Sequence, residues 1–121
     1  LAEELNHNQG CIINIVDIHG DRPLKDYSLY CLAKAGLIMF TKSMARELAP
    51  AVRVNGIAPG AIIWPEELHY EGMHQEIISR TALKREGSPQ DIADTALFLI
   101  EHANYITGQI ITVDGGRTLS N

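Results

Sequence analysis

The chain has 121 residues, 45% of them hydrophobic and 21% charged, which argues for one globular core and against a disordered tail, a collagen-like repeat or a coiled coil. Ten Lys and Arg against fifteen Asp and Glu leave a formal charge of -5, so there is no basic footprint for a phosphate backbone and no nucleic-acid partner is expected. No run reaches the roughly 20 apolar residues that cross a bilayer, and the first ten residues carry Glu3 and Glu4 but no basic leader, so no membrane partner is expected either.

Leu1 to Asn8 reads as the end of a helix, with Leu1, Ala2 and Leu5 on one face and an Asn-Gln-Gly stop at Asn8 to Gly10. With no initiator Met before it, the chain is expected to be a piece of a longer one. Cys11 to Val16 is a short β-branched run between glycines, the pattern of a parallel strand buried on both faces. Asp17 to Asp26, with Gly20 and Pro23, forms a loop at that strand's carboxyl end, where ligand sites of open α/β sheets gather. From Tyr27 to Ala49, apolar residues recur every three or four positions, which predicts a helix closed by Pro50. Val52 to Ala58 predicts a second strand, broken by Pro59-Gly60, so the two strands and their helix make a βαβ crossover.

Residues 62 to 87 are less regular. A helix is expected to start at Trp64-Pro65-Glu66-Glu67, to be interrupted by Gly72, and to be followed by a short helix from His74 to Leu83. Ser88 as cap, Pro89 in the first helical position and Asp91 near the positive end then start a helix that reaches His102. Gln109 to Val113 predicts a third strand, ended by Asp114-Gly115-Gly116. Cys11 and Cys31 are too few for a disulfide framework and read as thiols of a reducing cytosol, so a cytoplasmic location is expected. The five histidines show no His-Glu-x-x-His or Cys-rich ligand spacing, and no metal site is expected.

Tyr30 and Lys34, four residues apart on the long helix, share one face about a turn from each other. An ammonium there is expected to stabilise phenolate and lower the Tyr30 pKa from its usual value of about 10. The ordered set of Tyr30-Cys31-Leu32-Ala33-Lys34, Arg53-Val54-Asn55, Pro59-Gly60, Thr107-Gly108 and Asp114-Gly115-Gly116 resembles the carboxyl-terminal half of a short-chain dehydrogenase/reductase, over practically the whole chain. The resemblance implies an α/β fold, the carboxyl-terminal half of a doubly wound parallel-sheet Rossmann fold. Residues 1–121 would then be one partial domain on the catalytic and substrate side. The family's Gly-rich pyrophosphate turn and the Asn of its proton relay would lie upstream of Leu1.

By the same resemblance, Tyr30 handles the substrate proton, Lys34 also holds the nicotinamide ribose, and Pro59, Gly60, Ala61 and Ile62 lie against the nicotinamide. Most of the family has Ser thirteen residues before the Tyr; here that position is Asp17. An acid there suits protonation of a ring nitrogen and pairing with an amino-pyrimidine edge, and the exchange resembles the bacterial pteridine reductases. Asp17 could instead be a solvated loop acid or the remnant of a lost site. Trp64 either stacks on a flat substrate or packs beside Pro65. These readings lead to an NADPH-dependent reductase of a pterin or folate-like ring, with Asp17, Tyr30 and Lys34 catalytic and Asp17, Tyr30 and Trp64 against the substrate. NADPH rests on the resemblance alone. A generic short-chain dehydrogenase for a carbonyl or alcohol, and an inactive fragment with an assembly role, are the alternatives. A homotetramer is expected, because Leu37, Met39, Phe40 and Met44 spread beyond one stripe of the long helix.

Overall fold

A computed structural model describes residues 1–7, 10–62 and 71–120. Three parallel strands, β1 (Cys11–Ile15), β2 (Arg53–Pro59) and β3 (Ile110–Val113), lie side by side in that order. Ile13 pairs with Asn55, and Ile57 with Ile111. Helix α1 (Ala2–His7) precedes β1, α2 (Ser28–Leu48) joins β1 to β2, and α3 (Glu71–Ser79) and α4 (Pro89–Glu101) come before β3.

The twofold alternation of the strands sorts their side chains between two helical layers. On one face, Ala45 of α2 packs with Val52 and Val54, joined by Leu5 of α1 and Ile12, while Val16, Ile18 and Ala58 pack with Leu37 and Ile38. On the other face, Ile57 packs with Leu99 and Ala103, and Ile13, Ile111 and Val113 join them against α4. Central strand β2 is buried along its interior, and Val54, Ile57 and Leu99 are wholly enclosed. Removing the larger of these side chains would cost about 2–5 kcal/mol each.

β1 departs from the expected strand buried on both faces: most of it is half-buried and Ile15 is 48% exposed. The physical reason is its position, since among the described strands only β2 pairs with it. Gln109, expected in β3, lies just before it because its N–H donates to the Asn55 side chain, while its carbonyl accepts from Gly56. Gly72 does not interrupt a helix. It is itself helical within α3, so the helix expected to begin at His74 is already formed at Gly72. That helix ends at Ser79 rather than Leu83, closed by tight turns in which the Arg80 and Thr81 N–H groups donate to the Ile77 and Ile78 carbonyls. The expected helix start at Trp64 lies outside the described residues.

The start of α4 follows its sequence signal closely. Ser88 accepts from the Asp91 N–H, and the Asp91 carboxylate accepts from the Ser88 N–H, a reciprocal capping box with Pro89 in the first turn. At the other end of α4, the Arg53 guanidinium donates to the carbonyls of Leu99, Ile100 and Ala103. A cation is well placed there, opposite the negative end of the helix. On α2, Leu37 and Met44 face the sheet, whereas Leu29, Leu32, Met39 and Phe40 are exposed. Among the described residues no helix is long and apolar enough to cross a membrane.

Candidate active site

The carboxyl ends of β1 and β2 open into a cleft of about 590 Å³. Ile15, Val16 and Asp17 contribute from the end of β1, Tyr30 and Lys34 from α2, and Pro59, Gly60 and Ile62 from the end of β2. The far wall is the first half of α4, through Pro89, Ile92, Ala93 and Ala96. That wall was not anticipated, although Ile92, Ala93 and Ala96 read as an apolar stripe. The available signal was topological: a helix returning from a parallel strand begins at the sheet's carboxyl edge, so the Ser88-Pro89 start had to lie beside the cleft.

Asp17 divides its two oxygens between structure and chemistry. Oδ1 accepts from the His19 N–H at 2.8 Å and caps the 3-10 turn Ile18–Gly20. Oδ2 accepts from the Tyr30 hydroxyl, also at 2.8 Å. Gly20 permits this approach, because a Cβ there would stand 3.1 Å from the Lys34 backbone and 2.6 Å from the tip of Ile38. The turn therefore lies directly on α2 at the level of Lys34. Asp17 is thus tied into the fold at one oxygen and to Tyr30 at the other, which is not the geometry of a freely solvated loop acid.

Lys34 Nζ lies 5.8 Å from the centre of the Tyr30 ring, so the four-residue spacing does bring the two side chains together. One ammonium hydrogen points to the Ile15 carbonyl at 3.4 Å, a long contact that leaves the other donors for a ligand. The expected lowering of the Tyr30 pKa is not found. It is pushed up to about 12, first by burial of the phenol, then by the hydrogen bond to Asp17 and by the Asp17 charge. Removing a proton here would place phenolate beside carboxylate, and that repulsion outweighs the more distant ammonium. Tyr30 is nonetheless 40% exposed at the cleft, which gives its hydroxyl access to a ligand.

Pro59, Gly60 and Ile62 line the cleft, whereas Ala61 lines a neighbouring hollow with Gly87 and Asp91. The segment is held by backbone pairing: the Gly87 N–H donates to the Ala61 carbonyl at 2.9 Å, and Ile62 bridges Gly87 in parallel. Trp64 lies outside the described residues. Another cavity, of about 570 Å³ on the α2 side, shares Asp17 but has neither Tyr30 nor Lys34 in its wall. Among the described residues, no three His, Cys, Asp or Glu side chains gather as a metal-ligand group.

The cleft's chemistry fits the nicotinamide and ribose of a dinucleotide. Apolar walls from Ile15, Val16, Ile62 and Ile92 suit a flat ring, the backbone of Pro59 and Gly60 suits a carboxamide, and Lys34 suits vicinal hydroxyls. An apolar cleft with a phenol, a carboxylate and an ammonium converging at one end can transfer a proton to a bound ring or carbonyl.

Comparison with known proteins agrees with this geometry. The family described as enoyl-(acyl carrier protein) reductase matches residues 1–118. A 7alpha-hydroxysteroid dehydrogenase of Bacteroides fragilis is 40% identical over 116 residues, covering 93% of this chain and 45% of that protein. Pteridine reductase 1 of Leishmania tarentolae is 36% identical over 111 residues, covering 90% of this chain and 38% of that protein. Among solved structures, a 4-hydroxyisoleucine dehydrogenase complexed with NADH superposes with a TM-score of 0.89 at 32% identity, covering 99% of this chain and 52% of that one. The chain spans about half the length of these relatives, and its parallel sheet is part of their Rossmann fold. It belongs to the short-chain dehydrogenase/reductase family.

Proposed function

We propose that the complete protein is an NADPH-dependent reductase of a pterin or folate-like ring. The observation that carries this reading is the 2.8 Å hydrogen bond from Tyr30 to Asp17 in the cleft, where most of the family has a serine. A serine hydroxyl both donates and accepts, as a carbonyl substrate requires; a carboxylate accepts two hydrogen bonds side by side, as the amino-pyrimidine edge of a pterin offers.

The chain's own groups divide the work. Lys34 holds the nicotinamide ribose, and the backbone of Pro59, Gly60 and Ile62 carries the carboxamide. When bound, NADPH supplies the hydride. Asp17 anchors the substrate edge, and Tyr30, still protonated at neutral pH because its pKa is about 12, is the donor to the ring nitrogen beside the carbon that is reduced. Lys34, 5.8 Å from the phenol ring, stabilises the phenolate left by that transfer until water restores its proton. The α4 wall excludes water from the ring. The phosphate preference for NADPH comes from the resemblance to pteridine reductases. The protein is assigned to the cytoplasm as a homotetramer, in which the exposed Leu29, Leu32, Met39 and Phe40 of α2 meet a second copy.

A ketone or alcohol is the second reading, favoured by the hydroxysteroid dehydrogenase relative and by the apolar α4 wall. Assaying the complete protein with NADPH against biopterin, dihydrofolate and a panel of ketones separates the two. Pterin reduction that is abolished in Asp17→Ala supports the proposal, and reduction of ketones alone refutes it.

A further inference from the structure

Glu86 is an unusual residue to find enclosed. Its side chain is 6% exposed, and its Oε1 atom is buried without a hydrogen-bond partner among the described residues. Burying a carboxylate oxygen in that state is costly unless a donor or a cation compensates it. The group nearest to that need is His74 of α3, itself 14% exposed, whose Nδ1 lies 3.7 Å from Oε1. That separation is in ion-pair range, yet beyond a hydrogen bond, and a closing shift of under about 1 Å would make the bond. The other charged groups of the two segments, among the described residues, are engaged elsewhere. Arg85 pairs with Asp91 at 3.0 Å, Arg80 with Glu76 at 3.1 Å, and Lys84 donates to the Ser79 carbonyl at 2.8 Å.

The position of Glu86 gives the pair its consequence. The next residue, Gly87, holds the Ala61 carbonyl and bridges Ile62, and Ile62 is a wall of the cleft. The fit there is tight: a Cβ on Gly87 would stand 2.6 Å from the tip of Ile62. Further back, the Leu83 N–H donates to the Gly115 carbonyl at 2.9 Å, which fastens the same segment to the end of β3. Residues 83–87 are thus anchored to the sheet at both ends, with Glu86 as the point at which α3 takes hold of them.

We infer that His74 and Glu86 form a clasp between α3 and residues 85–87 that positions Ile62 in the cleft, and so sets the affinity for the nicotinamide ring without entering the chemistry. They are positioning residues. The effect on the nicotinamide rests on the reading of the cleft as the reductase site, but the effect on the Gly87 to Ala61 bond does not.

The test is a paired substitution in the complete protein: His74→Leu, Glu86→Leu, the double variant and the conservative Glu86→Gln. It is read by hydrogen exchange at the Gly87 amide and by the KM for NADPH and kcat with whichever substrate the protein reduces. His74→Leu leaves the buried carboxylate with no partner, so Gly87 exchange should quicken by about tenfold, and KM should rise about fivefold with kcat within about twofold. The double variant replaces both polar groups by apolar ones and should return exchange and KM to within about twofold of the parent, because it leaves no buried charge unpaired. Glu86→Gln should fall between parent and His74→Leu. Unchanged Gly87 exchange in both single variants would overturn the clasp, as would a double variant with the summed defects of the singles. Faster exchange throughout the sheet with a falling kcat would overturn it too, since that marks general loosening. A protein that reduces only ketones would refute the pterin reading and leave the clasp to be judged on the exchange data.

Discussion

Replacing Asp17 by Ser should move the alkaline titration of Tyr30 downward, and the structure bounds how far. Burial is the first cause of the shift to about 12 and survives the substitution; the hydrogen bond and the charge of Asp17 do not. A hydrogen bond to a charged group is worth about 1.5–3 kcal/mol when enclosed, and the 40% exposure of Tyr30 reduces that to about 1 kcal/mol. At 1.36 kcal/mol per pH unit, Tyr30 in Asp17→Ser should titrate about one unit or less below the parent, still above 10. The assay is tyrosinate absorbance against pH, with Tyr30→Phe subtracted to remove the other tyrosines. Because the folded pKa is raised, the contribution of Tyr30 to stability is complete below the unfolded pKa near 10 and is lost as pH rises from 10 towards 12. The parent fold should therefore lose more stability than Tyr30→Phe across that window. A Tyr30 titration below 10 in the parent would refute the reasoning, since it would mean that Lys34 governs the phenol after all.

Tyr30→Phe should also reduce turnover by about 100-fold or more while leaving the cofactor dissociation constant within about twofold, measured by steady-state kinetics and nicotinamide titration. Lys34→Ala should weaken nicotinamide binding by about tenfold as well as slow turnover; an unchanged dissociation constant contradicts the ribose assignment. Arg53→Ala removes three carbonyl contacts at the end of α4 and should cost about 2–3 kcal/mol in denaturant unfolding, whereas a loss under about 0.5 kcal/mol would show that water replaces them. Light scattering of the complete protein at low micromolar concentration should show a tetramer, and a monomer alone would defeat the α2 contact.

What the sequence disclosed was governed by local chemistry. The Ser88-Pro89-Asp91 cap, the β-branched runs of β1 and β2 and the four-residue spacing of Tyr30 and Lys34 each act within a few residues, and all appear in the fold close to where they were expected. Features that depend on distant approach were hidden. The Tyr30 pKa reverses its expected direction first because the phenol is desolvated by burial and then because the Asp17 turn, admitted by Gly20, settles on α2, and no spacing along the chain records either contact. Ile15 reads as buried by composition and is exposed because it lies on β1, whose only described neighbour is β2. Ala61 sits in the middle of a segment expected to face one ligand, yet it lines the next hollow, because the Gly87 pairing fixes the twist of residues 61–62. Glu86 carries no periodic signal, and only tertiary packing shows it enclosed against His74.

The central claim is that the carboxylate of Asp17, in place of the usual serine, directs this cleft to a pterin-like ring. Its most direct test is the ratio of kcat/KM for biopterin to that for a ketone, measured with NADPH across neutral and acidic pH in the parent and in Asp17→Ser. The parent should favour the pterin across that range, because Tyr30, its pKa pushed up to about 12, stays the protonated donor throughout. Asp17→Ser should shift the ratio towards the ketone by about 100-fold while binding the cofactor normally. Equal ratios in the two proteins would show that Asp17 is a bystander and would contradict the account.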